Sequence, residues 1–232
     1  MSKHYSIALD GPSSSGKSSL AKRMASALSL VYVDTGAIYR SVGLACYRKG
    51  IDMKNEQAVA AVLPELVIDI HYDENGLQHM VLNGEDVTDQ IRLPEISLAA
   101  SDVSAHPACR AFLLDMQRAF ARNYNVIMDG RDIGTVVLPD ADLKVFLTAS
   151  AEARANRRYL ELKQKGIESS YEDVLRDIEL RDYQDIHRDI SPLKQAEDAV
   201  LLDTSTLDFD ESYQALYDLI AGRLPALTEA KA

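Results

Sequence analysis

Apolar residues recur along the chain in two rhythms. Short runs predict buried strands: Ile7-Ala-Leu9 within Ser6–Asp10, Val31-Tyr-Val33, Val126-Ile-Met128, Lys144-Val-Phe-Leu147 and Ala199-Val-Leu-Leu202. Between the first two the spacing lengthens to three and four. Leu20, Met24, Ala27 and Leu28 predict a helix over 17–30, and a second helix is expected from about 37 to 49, ended by Gly50. Helices are expected to fill the remaining intervals. Such alternation predicts an α/β fold with a parallel sheet covered on both faces. One stretch breaks the rhythm. Leu66–Tyr72 and Leu77–Leu82 flank Asp73-Glu-Asn-Gly76, a hairpin signal, and Asn83-Gly84 predicts a further turn into a short third strand. An antiparallel patch within a parallel chain reads as a small insert.

Composition narrows the class. The 232 residues are 47% hydrophobic and 26% charged, as in an ordinary folded domain, and no repeat or linker divides them. A single domain with insertions is expected. No apolar run approaches the ~18 residues of a membrane span. The two cysteines, Cys46 and Cys109, make no disulfide framework or metal spacing, so buried thiols in a reducing cytoplasm are expected. A net charge of −11 argues against a nucleic-acid polymer as partner, and neither a membrane partner nor a dimer is demanded, so a monomer is expected. A few arginines can still hold a small anion, because screening confines surface fields to about 10 Å.

The strongest chemistry lies at Gly11-Pro12-Ser13-Ser14-Ser15-Gly16-Lys17-Ser18, followed by Ser19, between the first strand and the first helix. This is the pattern of a phosphate-cradling loop. Its N–H groups and the helix dipole favour β- and γ-phosphates, Lys17 bridges them, and the Ser18 hydroxyl suits Mg²⁺. No Asn-Lys-x-Asp and no Leu-Ser-Gly-Gly sequence occurs, which turns the reading from GTPases and transport ATPases towards a small-molecule kinase.

Candidate acceptor groups follow. Asp34-Thr35 and Arg40 lie after the second strand; helix capping accounts for the first two, whereas the Arg40 fork suits a phosphate. Asp129-Gly-Arg131-Asp132 follows the strand Val126-Ile-Met, and either Asp129 or Asp34 could reach Mg²⁺ through water. Arg154, Arg157 and Arg158 fall on one helix face, where their mutual repulsion points to a neutralising anion and to a closing lid. Arg181, Asp185 and Arg188 also share a face and could equally be a salt-bridge ladder. His187 and the other histidines lack triad or metal partners at telling spacing.

Taken together, these motifs resemble bacterial cytidylate kinases over nearly the whole chain. The loop reads Pro-Ser-Ser-Ser where many relatives have Pro-Ser-Gly-Ala, and Thr35 stands where Ser is common. The resemblance implies a nucleoside-monophosphate-kinase fold with three parts: a core at about 1–35, 105–150 and 190–232; a monophosphate-binding region with the β insert at about 36–104; and a lid at about 151–189. It implies transfer of a phosphoryl group from ATP, with Mg²⁺, to CMP or dCMP. Other monophosphates (UMP, dTMP, AMP) or an ATP-hydrolysing switch are the alternatives. By resemblance, Arg40, Arg131 and Arg188 bind the acceptor phosphate, and Arg181 and Asp185 lie against sugar and phosphate. Thr35 and Asp129 join the acceptor site, while Ser101, Arg110 and Asp132 read cytosine. Lys17, Arg131, Arg154, Arg157, Arg158 and Arg188 are the implied catalytic set.

Overall fold

A computed structural model describes residues 3–229. In chain order its elements are β1 (Ser6–Asp10), α1 (Lys17–Leu28), β2 (Val31–Asp34), α2 (Thr35–Arg48), α3 (Glu56–Val62), β3 (Ile68–Tyr72), β4 (Gln78–Leu82), β5 (Glu85–Asp86), α4 (Pro94–Ser104), α5 (Pro107–Asn123), β6 (Val126–Gly130), β7 (Leu143–Thr148), α6 (Ala151–Gln164), α7 (Tyr171–His187), β8 (Val200–Asp203), α8 (Phe209–Arg223) and α9 (Pro225–Glu229). These elements group into two compact units, Val31–Tyr124 and the residues on either side of it.

In the flanking unit four strands run parallel in the order β6-β1-β7-β8. Ile7 stands beside Ile127 on one side and Leu143 on the other, and all three are buried. Burial on both faces explains why β1 and β6 read as continuous apolar runs rather than alternating ones. β8, at the edge, does alternate in exposure. α1 packs on β1 and β6 through Leu20, Met24 and Leu28, and α8 packs on α1, where the Arg23 guanidinium lies 4.2 Å from the Tyr213 ring. Every strand of this sheet ends at the same edge, so the segments after β1 and β6 leave it side by side.

The other unit holds β2, α2 to α5 and an antiparallel sheet in the order β3-β4-β5. Here the turn chemistry decides the outcome. Asn83 and Gly84 both take positive φ, 50° and 86°, the two-residue turn that pairs Leu82 with Glu85. α2 and α4 cross closely at Gly43. A Cβ at that position would lie 3.1 Å from the Ala100 nitrogen and 3.1 Å from the Ala99 Cβ. Within this unit α5 packs on α3 and α4. Among the described residues no helix is long and apolar enough to cross a membrane.

Gly43→Val should overpack the α2–α4 crossing and cost about 1–3 kcal/mol. In urea unfolding this would appear as a lower midpoint with an unchanged slope; an unchanged midpoint would mean that the crossing is not tight.

Candidate active site

The loop after β1 owes its path to the strand beside it. A Cβ at Gly11 would stand 2.0 Å from the Leu147 carbonyl oxygen of β7, so any side chain there would push loop and strand apart. Gly16 (φ 89°) and Ser14 (φ 57°) supply the left-handed turns that fold the loop back over the start of α1. The Ser13 and Ser15 hydroxyls are buried without a hydrogen-bond partner. Lys17 is buried and reaches back to donate to the Pro12 carbonyl at 3.1 Å. Ser18 Oγ donates to Asp129 Oδ2 at 2.5 Å, joining the first turn of α1 to the end of β6.

Around Lys17 gather Arg131 and Arg181, with Asp129 and Asp185 between them. Burial first, then the two guanidinium charges, push the Lys17 ammonium down to about 7, against the pull of the two carboxylates. Arg131 Nε donates to Asp185 Oδ2 at 2.7 Å, and Arg188 lies 4.0 Å from the other oxygen while its Nε donates to the Ser191 carbonyl. Burial would raise the Asp185 carboxyl, but Arg131, Arg181 and Arg188 together hold it below the usual carboxylate range. Thus Arg181, Asp185 and Arg188 do more than form a ladder along α7. Asp185 is the counter-charge of a cluster that draws Arg131 from just after β6, Arg181 from α7 and Arg188 from the residue that caps its C-terminus.

The three arginines of α6 do not share one environment. Arg154, 4% exposed, donates to both oxygens of Asp182 on α7, to the Ala149 carbonyl and, at 3.2 Å, to the Ser13 carbonyl of the loop. Arg157 donates to the carbonyls of Ser15, Thr204 and Leu207. Arg158 pairs with Glu161 one turn away, at the surface. Arg154 and Arg158 thus have carboxylate partners, Asp182 and Glu161, whereas Arg157 is held by neutral carbonyl and hydroxyl oxygens. Arg154 and Arg157 together hang the α6–α7 hairpin from the loop.

The other unit carries its own group of candidates. Asp34 caps α2 by accepting from the Ala37 N–H at 2.9 Å, and its second oxygen accepts from Arg40 at 2.9 Å. Capping therefore does explain Asp34, and Thr35 is buried as the first residue of the helix. The Arg40 Nε is buried without a partner. Arg110 on α5 donates to the Ser104 carbonyl at 3.0 Å, with its guanidinium 5.4 Å from the Tyr39 ring. Ser101 lies three residues before Ser104 on α4, half-buried.

The family model for cytidylate kinase matches residues 7–221. The chain belongs to the cytidylate kinase family. It is 46% identical over 214 residues to the cytidylate kinase of Lactobacillus johnsonii, covering 92% of this chain and 93% of that protein. It is also 46% identical over 217 residues to that of Caldicellulosiruptor bescii, covering 94% and 96%. Among solved structures, an uncharacterized protein from Eubacterium ventriosum aligns over 95% of this chain and 100% of that chain, with a TM-score of 0.52 at 11% identity, which shows the fold alone.

The spacing of side chains along the sequence leaves three groups in this site without a role. Asp182 reads as one more acidic residue of a charged helix. Ile133–Val137, a π-type turn after Asp132, has no periodicity to announce it. Asp10 looks like the polar end of a strand. Each gains its meaning only from a partner more than twenty residues away.

Asp182→Ala would leave Arg154 buried with two donors unpaired, which should cost about 3–5 kcal/mol. The loss should be local: amide hydrogen exchange should accelerate across 151–187 while β1 and β6 stay protected. Uniform acceleration would contradict the anchoring role of Arg154.

Proposed function

We propose that this chain transfers the γ-phosphoryl group of ATP to CMP or dCMP, giving ADP and CDP or dCDP. The observation that carries this reading is the gathering of Lys17, Arg131, Arg181 and Arg188 about Asp185 and beside the loop, where two guanidinium charges press on one buried ammonium. Two substrates that both bring phosphate would relieve that repulsion. Family membership favours a cytidine monophosphate over UMP, dTMP or AMP, and over a switch that hydrolyses ATP for a partner.

The acceptor phosphate is already an oxyanion, so no general base is required. Its oxygen attacks the γ-phosphorus while the bond to the β–γ bridging oxygen breaks, and ADP leaves with the electron pair. On this reading Lys17 spans the β- and γ-phosphates, while Arg131, Arg188 and Arg40 hold the acceptor phosphate and Arg181 and Asp185 orient it. Arg154 and Arg157 hold the lid hairpin against the loop, Arg157 still carrying a charge that no carboxylate bonds, and Arg158 at the surface is the lid group placed to turn towards the transferring phosphoryl. Ser18 and Asp129 present hydroxyl and carboxylate oxygens 2.5 Å apart, a donor set that fits Mg²⁺ shared with phosphates and waters. Bound there, Mg²⁺ would neutralise charge on the β- and γ-oxygens. Asp34, committed to its helix and to Arg40, suits that role less.

For the base, Asp132, Ser101 and Arg110 offer carboxylate, hydroxyl and guanidinium to cytosine N4, N3 and O2. Uracil would set an oxygen against Asp132 and a donor against Arg110. Cys46 and Cys109 are buried free thiols, which fits a reducing cytoplasm.

A coupled assay across CMP, dCMP, UMP, dTMP and AMP tests the assignment. CMP or dCMP should be preferred, and Asp132→Ala should lower kcat/KM for that monophosphate by about 100-fold or more with ATP affinity nearly unchanged. Preference for UMP would overturn the cytosine reading, and turnover indifferent to every monophosphate would favour the switch.

A second outcome follows from Lys17. With its ammonium pushed down to about 7, the free protein holds Lys17 largely neutral at pH 8, and a bound triphosphate restores the charge. ATP binding at pH 8 should therefore take up a proton. The uptake should fade as pH falls below 7, where Lys17 is already charged, and affinity should fall as pH rises from 7 to 9. Calorimetry in two buffers of different ionisation enthalpy measures it. Zero uptake by the wild type, or equal uptake by Lys17→Met, would refute the assignment.

A further inference from the structure

Asp10 ends β1, one residue before the phosphate loop, and nothing in the proposed chemistry uses it. Its carboxylate is 5% exposed, and each oxygen accepts one backbone N–H from consecutive residues: Oδ1 from Ile133 at 2.8 Å and Oδ2 from Gly134 at 2.7 Å. These residues open the turn Ile133–Val137. Its internal hydrogen bonds begin at Val136, which leaves the first two N–H groups for an outside acceptor. The residues just before the turn are Arg131 and Asp132. One side chain therefore joins the residue preceding Gly11 to the residue following Asp132, bridging 123 and 124 positions of sequence.

A carboxylate is costly in that place. Burial pushes the Asp10 carboxyl up to about 6 and Asp132 pushes the same way, while the Gly134 and Ile133 N–H groups and Lys17 pull it down. What it offers in return is geometric. Two parallel N–H donors need two acceptor oxygens at fixed spacing, which a carboxylate has and an amide lacks. The turn is tight on its other side: a Cβ at Gly134 would lie 3.1 Å from Lys144 Cδ and at ordinary contact distance, 3.4 Å, from Asp10 Oδ2. Lys144 is itself held by Asp198 at 2.8 Å, so the turn is enclosed on that side too.

We infer that Asp10 is a positioning residue for phosphoryl transfer: it clamps the turn after β6 and so fixes Arg131 and Asp132 relative to the phosphate loop. It touches no substrate and acts through the backbone of Ile133 and Gly134. The inference rests on the acceptor roles proposed for Arg131 and Asp132.

Asp10→Asn keeps the shape but turns an amide nitrogen towards one of the two N–H groups. Steady-state kinetics should use whichever monophosphate the wild type prefers, so that a wrong substrate assignment shows in the wild-type panel and leaves the clamp open to test. The expected result is a split. KM for the monophosphate rises about tenfold or more and kcat falls, while KM for ATP stays within about threefold, because the carboxylate bonds the turn and not the loop. Equal losses for both substrates that follow a fall in melting temperature would overturn the inference, as would unchanged kinetics. If Asp10→Asn does not fold, Gly134→Ala decides: its methyl group crowds the Lys144 side chain at 3.1 and 3.3 Å, and the turn, shifted off that side, should give the same split at smaller amplitude. Equal losses or none would overturn the inference there as well.

Discussion

The crowding of like charges around a buried Lys17 governs this molecule. Lys17 alone is costly to bury, and Arg131 and Arg181 make it costlier. Such a cluster persists only where rigid elements hold each member and where counter-charges are placed among them. Asp185 on α7 and Asp129 on β6 are counter-charges of this kind, each pulling against the burial and the guanidinium charges that press on Lys17. The same crowding explains why the surrounding parts are so firmly tied, because an unrestrained cluster would relieve itself by moving apart.

The ties come in two kinds. Side chains bind distant elements, as Arg154 does between loop and hairpin and Asp10 between strand and turn. Backbones approach where no side chain intervenes, as at Gly43 between α2 and α4. Both kinds place charged groups to within a fraction of an ångström on elements that cannot drift. Transition-state stabilisation depends on that kind of preorganisation.

Much of this was legible in the linear pattern because strands, helices and the phosphate loop are each specified by neighbours in sequence. Continuous apolar runs marked β1 and β6, and Asn83-Gly84 marked the turn into β5. The Ser18–Asp129 pairing could be anticipated from the loop motif and a carboxylate at a strand end. Helix spacing says less about α6. It shows which residues share a face and is silent about what that face meets: Arg154, expected on a closing lid, is 4% exposed and donates to Asp182 and to the Ser13 carbonyl. Asp10 stayed invisible for a related reason. Its partners are main-chain N–H groups more than 120 positions away, and backbone donors leave no trace in side-chain identity.

The contact between Gly11 and the Leu147 carbonyl bears on how freely this loop can vary. At 2.0 Å from a backbone oxygen there is no room for even a methyl group, and no side-chain change elsewhere could relieve the clash because the obstacle belongs to the main chain of β7. Positions 13 to 15 are limited in another way: Ser13 and Ser15 are buried and Ser14 takes φ 57°, so the crest has room for small side chains where the root has room for none. A single added carbon at that root would open the phosphate cradle.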